Sequence, residues 1–296
     1  MLPASPTRGR TAPGRLAALD AWLCHAEAGL LRRTDGPWAT APFVDIGLGD
    51  TPWTTLESAA ALRTVRPDLP VVGIDVDRAR VAAAQPHADA LTTFRLGDFD
   101  LGPPDEAARI VRALNVLRQY PPDAIPDIHR RLGAGLLPGG LLIEGTSDAA
   151  GGVLVTHLLR RPAPGEHAPG EHAPGEHDPA ALRREGLLFH TDFSQGFAPL
   201  LFRDRLPRDL RRVAPGTPMH PFFAAWTAAW EAARTAARHA RIPPELGPPP
   251  ELDTPHARFV ASVQGLAARV PGVDPDPWLA ARGYLVWRPP AAAAGV

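Results

Sequence analysis

Between residues 43 and 146 short apolar runs alternate with stretches in which apolar residues recur at helical spacing. The pattern predicts strands at 43–48, 70–75, 92–96, 108–114 and 140–146, and helices at 53–65, 77–84 and 123–134. Strands that are apolar throughout and separated by helices imply a mainly parallel sheet covered on both faces. Ahead of this core, Leu16, Leu19, Trp22 and Leu23 share a helical stripe within 15–33, a helix expected to pack over the crevice or the sheet edge. Behind it the pattern changes. Val153–Leu159 and Leu187–Phe193 read as strands, Phe222, Phe223, Trp226 and Trp230 form one stripe of an Ala-rich helix, another helix covers about 255–269, and Trp278–Trp287 reads as a helix end and a last strand. The aromatic stripe suits a core, with a substrate cage as the other reading.

Punctuation divides the chain into 1–40, a flexible segment and a helix; 41–150, the alternating core; and 151–296, a hairpin insertion, helices and a terminal strand completing the same domain. Ala163-Pro-Gly-Glu-His167 repeats as Ala168–His172 and Ala173–His177, like a slipped insertion. Pro and Gly every five residues favour an extended, solvated loop, whose histidines could give adventitious metal affinity. The first dozen residues and the Gly/Pro/Ala tail read as mobile.

Asp45-Ile-Gly-Leu-Gly49 joins the first strand to its helix. Glycines here let the backbone turn sharply and approach a ligand with no Cβ in the way, while the helix start turns unpaired N–H groups toward the crevice. The second strand ends in Asp75, 26 residues beyond Gly49. That is where a doubly wound fold delivers a carboxylate to ribose hydroxyls. A dinucleotide fingerprint would need glycine where Pro52 stands, and Asp50 would repel a pyrophosphate.

With Gly97-Asp98-Phe99 after the third strand and Leu137-Pro-Gly-Gly140 opening the fifth, the chain resembles the class I S-adenosylmethionine-dependent methyltransferases, as a bacterial member. The resemblance implies a Rossmann-like α/β fold: a mainly parallel sheet with helices on both faces, an antiparallel terminal strand and helical additions at both ends. It implies S-adenosyl-L-methionine as cofactor, with Gly47 and Gly49 under the methionine and ribose, Asp75 on the ribose, Asp98 near the adenine amino group, Phe99 beside the ring, and Asp45 in the same motif. Thr51 departs from the third turn glycine of many members. The fourth strand ends in Asn115-Val-Leu, without the two prolines of the amino methyltransferases and nearer to chemotaxis-receptor carboxyl methyltransferases. Metal-dependent O-methyltransferases want acids there; Asn115 is neutral, and no metal is expected.

Candidates on the acceptor side are Asn115, Tyr120, His157 and His190, the last two as near neighbours across a hairpin, either of which could be a base or simply a sheet histidine. Glu144 is expected to bond backbone or Arg112, or to touch substrate. Composition narrows the partners. The net charge is −1, so no polyanion-binding surface is indicated and a nucleic-acid substrate is not expected; a small-molecule acceptor is, modified on O or N. All 31 basic residues are Arg, which reads as GC-rich coding bias. One cysteine, no signal-type apolar segment and no membrane-length apolar run fit a cytoplasmic protein. A non-catalytic binder of the same ligand is the alternative from another class, and a nicotinamide-dependent oxidoreductase is less favoured; oligomeric state stays open.

Overall fold

A computed structural model of the chain describes residues 11–103, 106–163, 180–239 and 254–290. The three repeat units, apart from Ala163, the Pro-rich stretch 243–250 and the Ala-rich tail from 291 lie outside the described residues, as do the first ten. The strands are β1 (Phe43–Ile46), β2 (Val71–Asp75), β3 (Thr92–Leu96), β4 (Ala108–Leu114), β5 (Leu136–Ser147), β6 (Val153–Arg160), β7 (Arg183–Thr191) and β8 (Tyr284–Trp287). They form one eight-stranded sheet in the order β3-β2-β1-β4-β5-β6-β7-β8. The first five are parallel neighbours. β6, β7 and β8 add an antiparallel meander. The antiparallel part is thus three strands wide, because β5 turns straight back into β6 without a crossover helix.

Helices α1 (Ala17–Ala26), α2 (Ala28–Arg32), α3 (Trp53–Arg63), α4 (Arg78–Ala84), α5 (Ile125–Ala134), α6 (Met219–His239), α7 (Pro255–Ala267) and α8 (Pro277–Ala280) cover the sheet. Their starts follow local chemistry. Asp77 caps α4 by accepting from Ala79 and Arg80 N–H, Thr254 accepts from Ala257 N–H ahead of Pro255, and Asp276 accepts from Trp278 N–H. The N-terminal helical stripe is split at Glu27 into α1 and α2. Leu19, Trp22 and Leu23 pack with Leu62, Phe43, Leu154 and Tyr284 on one face of the sheet. On the other face β1, β4 and β5 pack against Ile125, Ile128 and Leu132 of α5. The stripe of α6 is core: Phe222, Phe223 and Trp226 pack with Phe189, Phe202 and Phe259, and Trp230 lies against them.

Two fully buried arginines sit in β4, a strand whose seven residues are all buried. Arg109 donates to the carbonyls of Leu30, Leu31, Trp38 and Ala41, and burial brings its pKa down to about 10. Arg112 holds Asp45 through Nε and Nη2 at 2.9 and 2.8 Å and Asp20 through Nη1 at 2.9 Å, fastening α1 to β1 and β4. Against its own burial, the two carboxylates keep its pKa above the ordinary arginine value. Among the described residues no helix is long and apolar enough to cross a membrane.

A strand-end cavity at the point where the sheet order reverses

The chain leaves β1 toward β2 and β3 on one side and places β4 on the other, so a crevice opens between the carboxyl ends of β1 and β4. Open α/β sheets bind ligands at such a switch point. A cavity of about 1110 Å³ occupies it, floored by the β1 turn and by the ends of β2, β4 and β5. Gly47 and Gly49 have φ of +89° and +73°, which side-chain-bearing residues rarely adopt. A Cβ on Gly47 would also lie 2.8 Å from Cγ2 of Val116.

Asp75 is 3% exposed and lines this cavity. Its Oδ2 accepts the N–H of Leu48 and its Oδ1 that of Asp77, both at 2.9 Å, so the carboxylate ties the glycine turn to the end of β2. A carboxylate oxygen has two lone pairs, so each can accept a further bond, with Arg80 Nη1 standing 3.7 Å from Oδ2. Asp45 lines the cavity too, yet its oxygens take Arg112 and the Thr55 hydroxyl. It shapes the turn from below. Asp98 lies at the rim, gripped by Arg131 Nη2 at 2.8 and 2.9 Å. Although partial burial opposes it, the Arg131 pair and the Asp100 N–H hold its pKa below the usual carboxylate value. Phe99 is buried beside it, edge-on to Tyr120 with ring centroids 5.2 Å apart.

Asn115 and Tyr120 reach the opposite wall. Asn115 has φ +61° and closes a two-way bond with Ser147: its Nδ2 donates to Oγ at 2.9 Å and its Oδ1 accepts the Ser147 N–H at 3.1 Å. Burial, then the charge of Asp98, pushes the Tyr120 pKa up, so its hydroxyl is protonated at neutral pH.

His157 and His190 do not line the cavity, a correction to the sequence expectation. In the β6–β7 register His157 faces Leu187 and His190 faces Leu154, which puts the two histidines on opposite faces of the sheet. His157 is inaccessible and bonds Asp209; His190 packs on Tyr284, and burial brings its pKa down to about 4. Glu144 pairs with Ala113 across β4–β5, so it points away from Arg112, one of the partners expected for it, and toward His129 and His157. Asp148 follows β5 at the cavity wall, near the crevice as its place after the fifth strand implies, whereas the sequence reading missed Arg15, Arg118 and Arg205 there. Arg15 donates from Nε to Ser147 Oγ at 3.2 Å. Burial, then Arg118, lowers its pKa. Burial, then Arg208, Arg118 and Arg205, does the same at Arg211. A concentration of guanidinium groups therefore surrounds this side of the mouth. Arginines lying far apart along the chain carry no sequence signal for such a cluster.

No protein-family model matches the sequence, and no curated protein matches it. Solved structures similar to it include magnesium protoporphyrin IX methyltransferase from Synechocystis PCC 6803 with bound SAH, 21% identical over 45% of this chain and 54% of that one, TM-score 0.34. An S-adenosylmethionine-dependent methyltransferase from Mesorhizobium loti is 19% identical over 44% and 56%, TM-score 0.30. Human N-acetylserotonin methyltransferase in complex with SAM is 20% identical over 45% and 36%, TM-score 0.29. The chain thus spans between about a third and just over half of the length of these structures. By its own strand order and its cavity at the β1/β4 switch point, the chain is a Rossmann-like α/β protein.

Proposed function

We propose that the chain is a class I S-adenosylmethionine-dependent methyltransferase acting on a small acidic molecule. The observation that carries this reading is Asp75: a buried carboxylate at the end of β2, lining the cavity, bonded to the glycine turn and with each oxygen able to accept a further hydrogen bond. The residues fit the cofactor. Gly47 and Gly49 give a turn at positive φ, crowded for a Cβ at Gly47, Asp75 suits the ribose, and Asp98 with Phe99 suits the adenine end. When bound, the cofactor supplies an electrophilic methyl group on a sulfonium sulfur.

What the protein contributes is position, charge and exclusion of water. Arg118 and Arg205, with Arg15 pinned to Ser147, would draw in and orient an anionic acceptor. Asn115 holds the ends of β4 and β5 together, fixing the wall on which the acceptor lies. A carboxylate or similar oxyanion brings its own lone pair, so no histidine base is required, in keeping with a cavity lining that includes neither His157 nor His190. Tyr120, protonated, would serve as a hydrogen-bond donor. A reducing, cytoplasmic setting suits the single Cys24.

The test is calorimetric titration of S-adenosylhomocysteine into the purified protein and into Asp75→Ala. Charge-assisted hydrogen bonds to the ribose are worth about 1.5–3 kcal/mol, so affinity should fall by about 10- to 100-fold. No heat of binding from folded wild-type protein would remove the methyltransferase reading. Turnover of small carboxylic or phosphorylated acids with methyl-labelled cofactor should then respond to Arg118→Ala through KM, with homocysteine-form affinity unchanged. Binding without turnover of any acid would favour the non-catalytic binder.

A further inference from the structure

We propose that Glu144, His157 and Asp209, completed by His129, form a binding site for a divalent transition-metal ion of the zinc type, separate from the strand-end cavity. Four elements deliver these side chains. Glu144 of β5 and His157 of β6 are direct partners across the antiparallel pair, so their side chains leave the same face of the sheet. His129 comes from α5, and Asp209 from the 3-10 turn Arg208–Leu210. Glu144, His157 and Asp209 each present a ligand atom within 4.8 Å of the other two. His157 Nε2 and Asp209 Oδ1 are 2.8 Å apart, and His129 Nε2 is 3.8 Å from Glu144 Oε2. The two imidazoles stand edge to face, ring centroids 6.1 Å apart.

The second observation is that polar atoms of this cluster lack partners. Glu144 is 1% exposed and His157 fully inaccessible. Yet Glu144 Oε2, His129 Nε2 and His157 Nδ1 have no hydrogen-bond partner among the described residues. A buried carboxylate oxygen without a partner is costly, and an apolar side chain such as those of the neighbouring Ile143 and Leu158 would avoid that cost. One cation between Oε2 of Glu144 and Nε2 of His129 would satisfy both.

Two imidazole nitrogens and two carboxylates make a borderline donor set that zinc accepts in tetrahedral geometry. Ligand atoms around such an ion lie roughly 3.4 Å apart, which asks the His157–Asp209 contact to open and the other distances among Glu144, His157 and Asp209 to close by under about 1.5 Å. Arg184 bonds the far oxygen of Asp209 at 2.7 Å and so fixes the direction in which Oδ1 points. None of the four residues lines the strand-end cavity. The ion would clamp α5, β5, β6 and the 208–210 turn together. Arg208 on that turn donates to the Tyr120 carbonyl at 3.1 Å, so the clamp would also steady the cavity rim.

The experiment uses tag-free full-length protein, treated with chelator, in a background where His167, His172 and His177 are changed to alanine so that the repeat contributes no imidazole. Zinc titrated into this chain should bind at one equivalent and raise Tm, and Glu144→Gln and His157→Ala should each weaken binding by about 100-fold or more. Asp209→Asn, on a surface turn, tests the same site should either buried variant fail to fold. Cobalt(II) added to this background, with no further substitution, should give the intense visible bands of a four-coordinate site. Less than a tenth of an equivalent of zinc, a six-coordinate cobalt spectrum, or wild-type affinity in folded Glu144→Gln or Asp209→Asn would overturn the proposal.

Discussion

Asn115 is the residue on which sequence and structure put different weight. Its place after the fourth strand marks it as facing the crevice, and it does; what the sequence does not contain is that it adopts φ +61° and spends its amide on Ser147. Asparagine tolerates this region better than alanine does, and glycine better still. Asn115→Ala should therefore lose both the two-way bond and the conformational tolerance, whereas Asn115→Gly loses the bond alone. We expect alanine to be less stable than glycine by about 1 kcal/mol, read as a difference in urea midpoints at equal m-value. Equal midpoints would show that the positive φ carries no strain. Asp75, Gly47 and Gly49 were legible because each is required by geometry local to one turn. Arg15, Arg118 and Arg205 were not, because they meet only after the chain has folded.

Elements were read well where one face or two decided their composition. The strands from 43 to 114 and the helices between them fall where apolar runs and helical spacing put them, with shifts of a few residues at the ends. Register was not legible, since β6 and β7 carry apolar residues on both faces and either alignment would bury them. That is why His157 and His190 were expected together and lie on opposite faces. Nor did the sequence disclose that Arg109 and Arg112 are interior: a charged residue in a strand reads as an edge or a solvent face unless its partners are known. Arg112 joins α1, β1 and β4 through Asp20 and Asp45. Arg112→Met would strand two buried carboxylates and should cost about 3–5 kcal/mol in urea unfolding. Adding Asp20→Asn and Asp45→Asn should restore much of that. If the triple variant is no better than the single one, the stabilisation comes from the shape of the arginine and not from its charge.

At the scale of the molecule, His190 gives stability a pH dependence whose sign can be worked out. Its native pKa is brought down from 6.5 to about 4 by burial, so in that interval the unfolded chain takes up a proton that the folded chain refuses. Stability is full above pH 6.5 and falls as pH drops toward 4, by about 3 kcal/mol at most for this residue. His190→Gln should flatten the slope of unfolding free energy between those limits. A slope unchanged by the substitution would assign the acid sensitivity to other groups.

The meander that closes the sheet has a consequence for how this gene can change. β6 leaves the cavity end at Val153 and β7 returns to it at Thr191, so the connection between Arg160 and Arg183, which carries the five-residue repeat, departs from the far end of the sheet. The entropic cost of closing a connection between two strands grows by only about 0.6 kcal/mol for each doubling of its length. Replication slippage could add or delete repeat units with little penalty to folding and no displacement of the residues around the cavity, and tract length is then free to drift while the strands that bracket it stay in register.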